Sequence, residues 1–179
     1  MAKVDTSTAR RTLHYYWLAT RKHLGFFIGL MISTIGFNVL LQYGNPFVMG
    51  LIVDRVSEGG VGPEQVFEVF GVYVAALILV NFLGQACSKI QDYTLWKLEI
   101  AVAYDLATES FDALSNQSMS FHSNRFGGTL VSQTTKFLSA YNQIVEILTF
   151  PFIPVVCSVI ATCILLVPRV PMYVLVLMV

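Results

Sequence analysis

Amides are the first residues in this chain whose types and spacing invite chemistry. Asn38, Gln42 and Asn45 fall at i, i+4 and i+7, and Asn81 and Gln85 at i and i+4; each set lies inside a stretch without a charged residue. On an α-helix each set shares one face. A side-chain amide in an apolar medium needs a partner, so two readings stand: a polar lining that meets water or a solute, or hydrogen bonding between helices worth about 0.6 kcal/mol each. Other chemistry-bearing residues are sparse. Asp105, Glu109 and Asp112 form an acidic stripe without a base partner and read as a solvated or partner-facing surface, not a catalytic pair. His122 has no partner at ligand spacing, so no metal site is expected. Cys87, Cys157 and Cys163 form no C-x-x-C pair and read as small packing residues. Nor is there a G-x-x-x-x-G-K-[ST] phosphate cradle in these residues. Gly25-x-x-x-Gly29 sits in an apolar run and suits close helix contact.

The elements that must position the amides follow from hydropathy. The chain has 179 residues, 55% hydrophobic and 12% charged, with a formal net charge of +0, and a mean hydropathy of +0.66. Soluble domains carry about a quarter charged residues. Half that share, with apolar runs as long as a bilayer is thick, indicates a membrane protein. A neutral chain offers no electrostatic footprint for nucleic acid. A cleavable signal peptide is not expected, because the first apolar run is longer than a signal core and follows a polar, basic segment.

Residues 1–10 read as polar and loosely ordered, and residues 11–23 as a short amphipathic helix. Leu13, Tyr16, Trp17 and Leu24 recur at helical spacing beside Arg11, Arg21 and Lys22. Aromatics next to cations suit the headgroup layer, so residues 1–23 are predicted to form a cytoplasmic terminus with an interfacial helix. A first span covers residues 25–53, with a kink predicted at Pro46, and Asp54 and Arg55 mark its exit. Residues 57–63 form a glycine-rich loop, and Pro63-Glu64 suits a helix start.

The following segment decides the architecture. Residues 66–86 are apolar enough to span, and residues 85–115 contain neither glycine nor proline. Charge then accumulates at Lys89, Asp92, Lys97, Glu99, Asp105, Glu109 and Asp112, while Ile90, Leu95, Leu98, Val102, Leu106 and Leu114 keep an apolar stripe. A helix over 66–114 is roughly 70 Å long, more than twice the hydrocarbon thickness of about 30 Å. Its charged half is therefore predicted to project from the bilayer. Residues 116–128 break the pattern. A third long helix follows in mirror order, mixed over 129–146 and apolar over 147–167, with bends predicted at Pro151 and Pro154. Residues 167–171 reverse the chain, and 172–179 open a fourth apolar run, eight residues of the roughly twenty a span needs, which is expected to continue beyond Val179. Arg10, Arg11, Arg21 and Lys22 precede the first span, and Lys89, Lys97, Arg125 and Lys136 lie between the second and third; only Arg55 and Arg169 fall on the other side. This bias places the amino terminus and the long middle region in the cytoplasm.

Two membrane helices that extend far into the cytoplasm and meet in a short turn make a distinctive shape. With Pro46-x-x-x-Gly50-Leu51-Ile52-Val53-Asp54, Tyr104-Asp105-Leu106, Ser120-Phe121-His122 and Gly128-Thr129-Leu130-Val131-Ser132 in that order, residues 11–179 resemble the membrane domain of ABC exporters of the six-helix, domain-swapped type. The resemblance implies an all-α membrane protein whose long transmembrane helices extend into the cytoplasm: an interfacial elbow helix in 1–23, then part of the six-helix domain in 24–179. It implies ATP-driven export, with Ser120, Phe121, His122 and Asn124 at a coupling turn whose Phe121 docks on a nucleotide-binding domain. ATP and Mg²⁺ belong to that domain, in the same or a separate chain; no cofactor is expected in this segment. A second membrane domain would pair with this one as a homodimer or heterodimer. Asn38, Gln42, Asn45, Asn81 and Gln85 would line the path of an exported substrate, and the multi-pass protein would reside in the plasma (inner) membrane. The chain departs from the family pattern at Ala107 and Gln133, where arginine is common, and at Phe137, where aspartate is usual. These departures suggest a divergent member or one half of an asymmetric pair. The alternative is a non-transporting membrane scaffold with a helical cytoplasmic stalk.

Overall fold

A computed structural model describes residues 6–59, 62–117 and 127–166, and every described element is helical. Helix α1 spans Thr6–Lys22. It begins five residues earlier than the amphipathic pattern suggests, since Ser7, Thr8 and Ala9 do not oppose a helix. After a turn at His23 come α2 (Leu24–Asn38), a π-helical stretch (Val39–Gly44) and α3 (Asn45–Ser57). These run on as one helical rod, Leu24–Ser57. Gly59 ends the rod in the left-handed region at φ 68°, where a side chain would be strained. A single 3₁₀ turn (Pro63–Gln65) leads into α4, the uninterrupted 50-residue helix Val66–Ser115. Helix α5 (Gly127–Ile147) passes through a second π-helical stretch (Leu148–Phe152) into α6 (Ile153–Leu166).

Both predicted proline sites carry a widened turn. Pro46 is the second residue after the first π stretch, and Pro151 lies within the second. Proline has no N–H to donate, and its ring crowds the carbonyl four residues back. Shifting the local pattern from i→i+4 to i→i+5 relieves both without ending the helix.

The chain divides into two compact units, one of residues 1–30 and 92–148 and one of residues 31–91 and 149–179. The first has a conventional core. Leu95, Leu98, Val102 and Leu106 of α4 are buried with Tyr16 and Ala19 of α1, Leu30 of α2, and Leu130, Tyr141 and Val145 of α5. Four residues of the expected α4 stripe thus face inward, while Leu114 is half-buried and Ile90, which falls in the second unit, is exposed. That second unit buries almost no large apolar side chain. Val48 is its buried aliphatic, whereas Phe67, Val72, Ile78 and Phe82 stand exposed along α4. A surface of this kind is unstable in water and natural in lipid, where association rests on close packing and not on apolar burial. Leu24–Ser57, Val66–Ser115 and Gly128–Ile164 are each long and apolar enough to cross a membrane.

Small residues set that packing. In the second unit a Cβ placed on Gly84 would lie 2.5 Å from Leu41 Cδ2, one on Gly44 2.9 Å from Val80 Cγ1, and one on Gly36 3.1 Å from Cys87 Sγ. The first rod and α4 run antiparallel here, so close that a side chain at Gly84 would have to displace Leu41.

Candidate functional site

Two of the five amides, Asn45 and Asn81, meet across the seam between the first rod and α4. Asn81 Nδ2 donates to Asn45 Oδ1 at 2.9 Å and to the Leu77 carbonyl at 2.8 Å. Asn45 Nδ2 returns a longer bond to Asn81 Oδ1 at 3.4 Å. Gln42, three residues before Asn45, and Gln85, four after Asn81, are both exposed. Asn38 does not join them. It is buried and donates to the Thr34 carbonyl at 2.8 Å within its own helix. The π stretch explains the separation. Between Asn38 and Asn45 it turns the backbone through a smaller angle per residue than an α-helix, so i and i+7 no longer share a face. The arrangement is a polar seam on an otherwise apolar surface, able to meet an uncharged hydrogen-bonding group or water.

An apolar groove of about 550 Å³ lies in the same unit, with Ile35, Val39 and Tyr43 on the first rod and Val156, Cys157 and Ile160 on α6. It offers dispersion contacts and almost no hydrogen bonding. The expected coupling-turn residues Ser120, Phe121, His122 and Asn124 lie outside the described residues. Among the described residues no group of three His, Cys, Asp or Glu side chains could hold a metal ion.

In the first unit, α1 joins α4 and α5 through polar contacts that the sequence patterns did not disclose. Tyr16 Oη donates to the Phe137 carbonyl at 2.7 Å, and its ring meets those of Phe137 and Tyr141 at centroid distances of 4.9 and 5.4 Å. Thr20 Oγ1 and Tyr141 Oη share a buried hydrogen bond of 3.0 Å. Burial pushes both tyrosines above the ordinary phenol range; for Tyr141 the Thr20 bond opposes that rise and the nearby Glu99 charge adds to it. Lys22 Nζ reaches Glu109 at 2.9 Å and Asp105 at 3.5 Å, and His23 Nε2 lies 3.2 Å from Asp105. The Glu109 hydrogen bond leads the upward shift of Lys22. These pairs engage part of the acidic stripe that reads in sequence as merely solvated. The signal that could have found them is Tyr16, Ala19 and Thr20 at i, i+3 and i+4, a compact face opposite the arginines.

Glu99 has a buried Oε1 with no hydrogen-bond partner among the described residues. Burial, then the charge of Glu146, raises its carboxyl above the ordinary glutamate range. A raised folded-state value means the folded chain holds the proton after the unfolded chain has lost it. The contribution is present at acid pH and is lost as pH rises through the folded value. Glu99→Gln, which stays neutral, is expected to flatten that part of the stability profile. Thermal unfolding in detergent from pH 4 to 8 measures it, and identical profiles for both proteins would refute the assignment.

Comparison with known proteins accounts for this architecture. The family description "ABC transporter transmembrane region" matches residues 19–179, nearly all of the chain. The chain belongs to the ABC transporter transmembrane family. This ABC membrane domain is 24% identical over 149 residues to "ABC transporter B family member 6" of Dictyostelium discoideum, a match that covers 83% of the chain and 20% of that relative. The chain thus spans about a fifth of the length of the relative it resembles. No solved structure matches it significantly.

Proposed function

We propose that the chain is the amino-terminal part of the membrane domain of an ATP-driven exporter, and that the Asn45–Asn81 seam with Gln42 and Gln85 lines its translocation path. The observation that carries this reading is an exposed, mutually bonded amide pair on a surface otherwise made for lipid. Amides at membrane depth belong against protein or water, and a path between domains supplies both. Residues 116–128, with Ser120, Phe121, His122 and Asn124, would meet the nucleotide-binding domain, which would hold ATP and Mg²⁺. A second membrane domain would close the path on its far side, and the amino terminus would face the cytoplasm.

The experiment uses the full-length transporter with Cys87, Cys157 and Cys163 replaced and single cysteines at Gln42, Gln85 or Asn38. A membrane-impermeant thiol reagent is expected to label Gln42→Cys and Gln85→Cys at rates that change on nucleotide binding, and to leave the buried Asn38→Cys untouched. Labelling that ignores nucleotide at both glutamine positions would remove the lining role. Sequencing past Val179 tests the wider reading, with further spans and a G-x-x-x-x-G-K-[ST] expected.

A further inference from the structure

Helices α4 and α5 meet at Glu99 in a contact that apolar packing does not complete. Leu98 and Val102 flank Glu99 on α4, and Tyr141 and Val145 stand across from them on α5, all buried. Two oxygens in this surround, Glu99 Oε1 and Asn142 Oδ1, are buried and have no hydrogen-bond partner among the described residues. The Glu99 charge acts on Tyr141, and the Glu146 charge acts on Glu99. Asn142 adjoins the first of these α5 residues and lies one turn before the second, so Glu99 faces the stretch of α5 that carries the other orphan oxygen. A carboxylate and an amide oxygen are both acceptors and cannot satisfy each other. The hydroxyls nearby are spent. Thr20 Oγ1 donates to the Tyr16 carbonyl at 2.8 Å, which leaves Tyr141 Oη to donate to Thr20, and Tyr16 Oη donates to the Phe137 carbonyl. Cations are spent as well. Lys22 and His23 are held by Asp105 and Glu109, six and ten residues further along α4, α2 has no charged residue, and Lys97 lies over the Tyr93 ring. The ionisable groups that α5 turns toward Glu99 are Tyr141 and Glu146, neither of them a cation.

We propose that one proton completes this contact: Glu99, held as the neutral acid, donates its carboxyl O–H to Asn142 Oδ1 and so latches α4 to α5. A single hydrogen serves both orphans, since it turns one acceptor into a donor for the other. When the proton leaves to water, the Glu99 carboxylate confronts the Asn142 oxygen and the exposed Glu146 carboxylate with no cation between them, and the latch opens. The direction follows from the raised folded-state value of Glu99. The latch is closed at acid pH and opens as pH rises through that value. Through it the α1–α4–α5 unit senses the proton concentration around it.

Infrared difference spectra of the full chain in lipid nanodiscs, taken across a pH series, read the proton directly. The neutral-carboxyl C=O band that Glu99→Gln abolishes belongs to Glu99. In Asn142→Ala its midpoint is expected to fall by about half to one pH unit, because the neutral acid loses its acceptor. In Glu146→Gln, a change at an exposed position, it should fall as well, because a like charge is gone. A midpoint that rises in Asn142→Ala overturns the proposal, since Asn142 would then be donating its amide N–H to an ionised carboxylate. An unchanged midpoint overturns it too. Spin labels at Ile100→Cys on α4 and Ile144→Cys on α5, both exposed, report the latch in a chain with Cys87, Cys157 and Cys163 replaced. Their distance distribution should widen above the Glu99 midpoint. It should stay narrow at every pH in Glu99→Gln, whose amide N–H can still donate to Asn142. A distribution that ignores pH in the chain retaining Glu99 removes the latch. None of these readouts depends on transport, so the proposal stands or falls apart from the exporter reading.

Discussion

Tyr16→Ala is expected to destabilise the α1–α4–α5 unit by about 3–5 kcal/mol, the range for removing a buried aromatic side chain. Three losses converge there. A ring only 5% exposed is replaced by a cavity. Two aromatic contacts, to Phe137 and Tyr141, disappear, each worth about 0.5–1.5 kcal/mol beyond area alone. The 2.7 Å hydrogen bond to the Phe137 carbonyl is also lost. Tyr16→Phe isolates that last contribution, expected at about 0.5–1.5 kcal/mol and toward the lower end, because Phe137 O is a carbonyl inside a helix and is not stranded. Thermal unfolding in detergent separates the two variants. A Tyr16→Ala protein melting with wild type would mean that α1 is not held by this contact.

Gly84→Ala carries the second large effect, of opposite kind. The added methyl would sit 2.5 Å from Leu41 Cδ2 and 2.6 Å from Leu41 Cγ. Movement of a terminal methyl alone cannot relieve both contacts, so the whole Leu41 side chain must turn to another rotamer or the two helices must move apart. Overpacking of this sort costs about 1–3 kcal/mol. Leu41→Ala alone leaves a gap, while the double variant Gly84→Ala/Leu41→Ala restores volume, so a coupling of about 0.5–3 kcal/mol is expected between the sites. Gly71 provides the control on the same helix. Nothing lies within 4 Å of a Cβ placed there, and Gly71→Ala should stabilise α4 by about 0.5–1 kcal/mol. If Gly71→Ala and Gly84→Ala behave alike, helix propensity and not close approach sets the behaviour of Gly84.

Much of the architecture was legible in the sequence because its signals are local. Three apolar stretches, a 50-residue helix without a breaker beyond Gly84, and prolines at the widened turns all leave marks within one or two turns of chain. The family follows from the same pattern at longer range. The site was less legible. Assigning Asn38, Gln42 and Asn45 to one face assumed a uniform α-helical turn, and the π stretch at Val39–Gly44 separates Asn38 from the seam. The Asn45–Asn81 pair could be suspected from two amides in apolar surroundings, but its partners are 36 residues apart and no periodicity joins them. The clamp of Tyr16 and Thr20 on Phe137 and Tyr141 spans 121 residues. It exploits Phe137, a position where the resemblance leads one to expect aspartate. Read along the chain, that residue marks a lost charge; in the folded unit it is the ring beneath Tyr16.

The two widened turns distribute bending compliance unequally among the three long helices. A π stretch trades regular i→i+4 bonds for a looser turn, so the first and third rods each contain a knee, at Val39–Gly44 and Leu148–Phe152. Helix α4 has none between Val66 and Ser115. Resistance to bending is therefore even along α4 and interrupted at one turn in each of the other two rods. Of three helices long enough to cross a bilayer, one is built as a strut and two as jointed limbs.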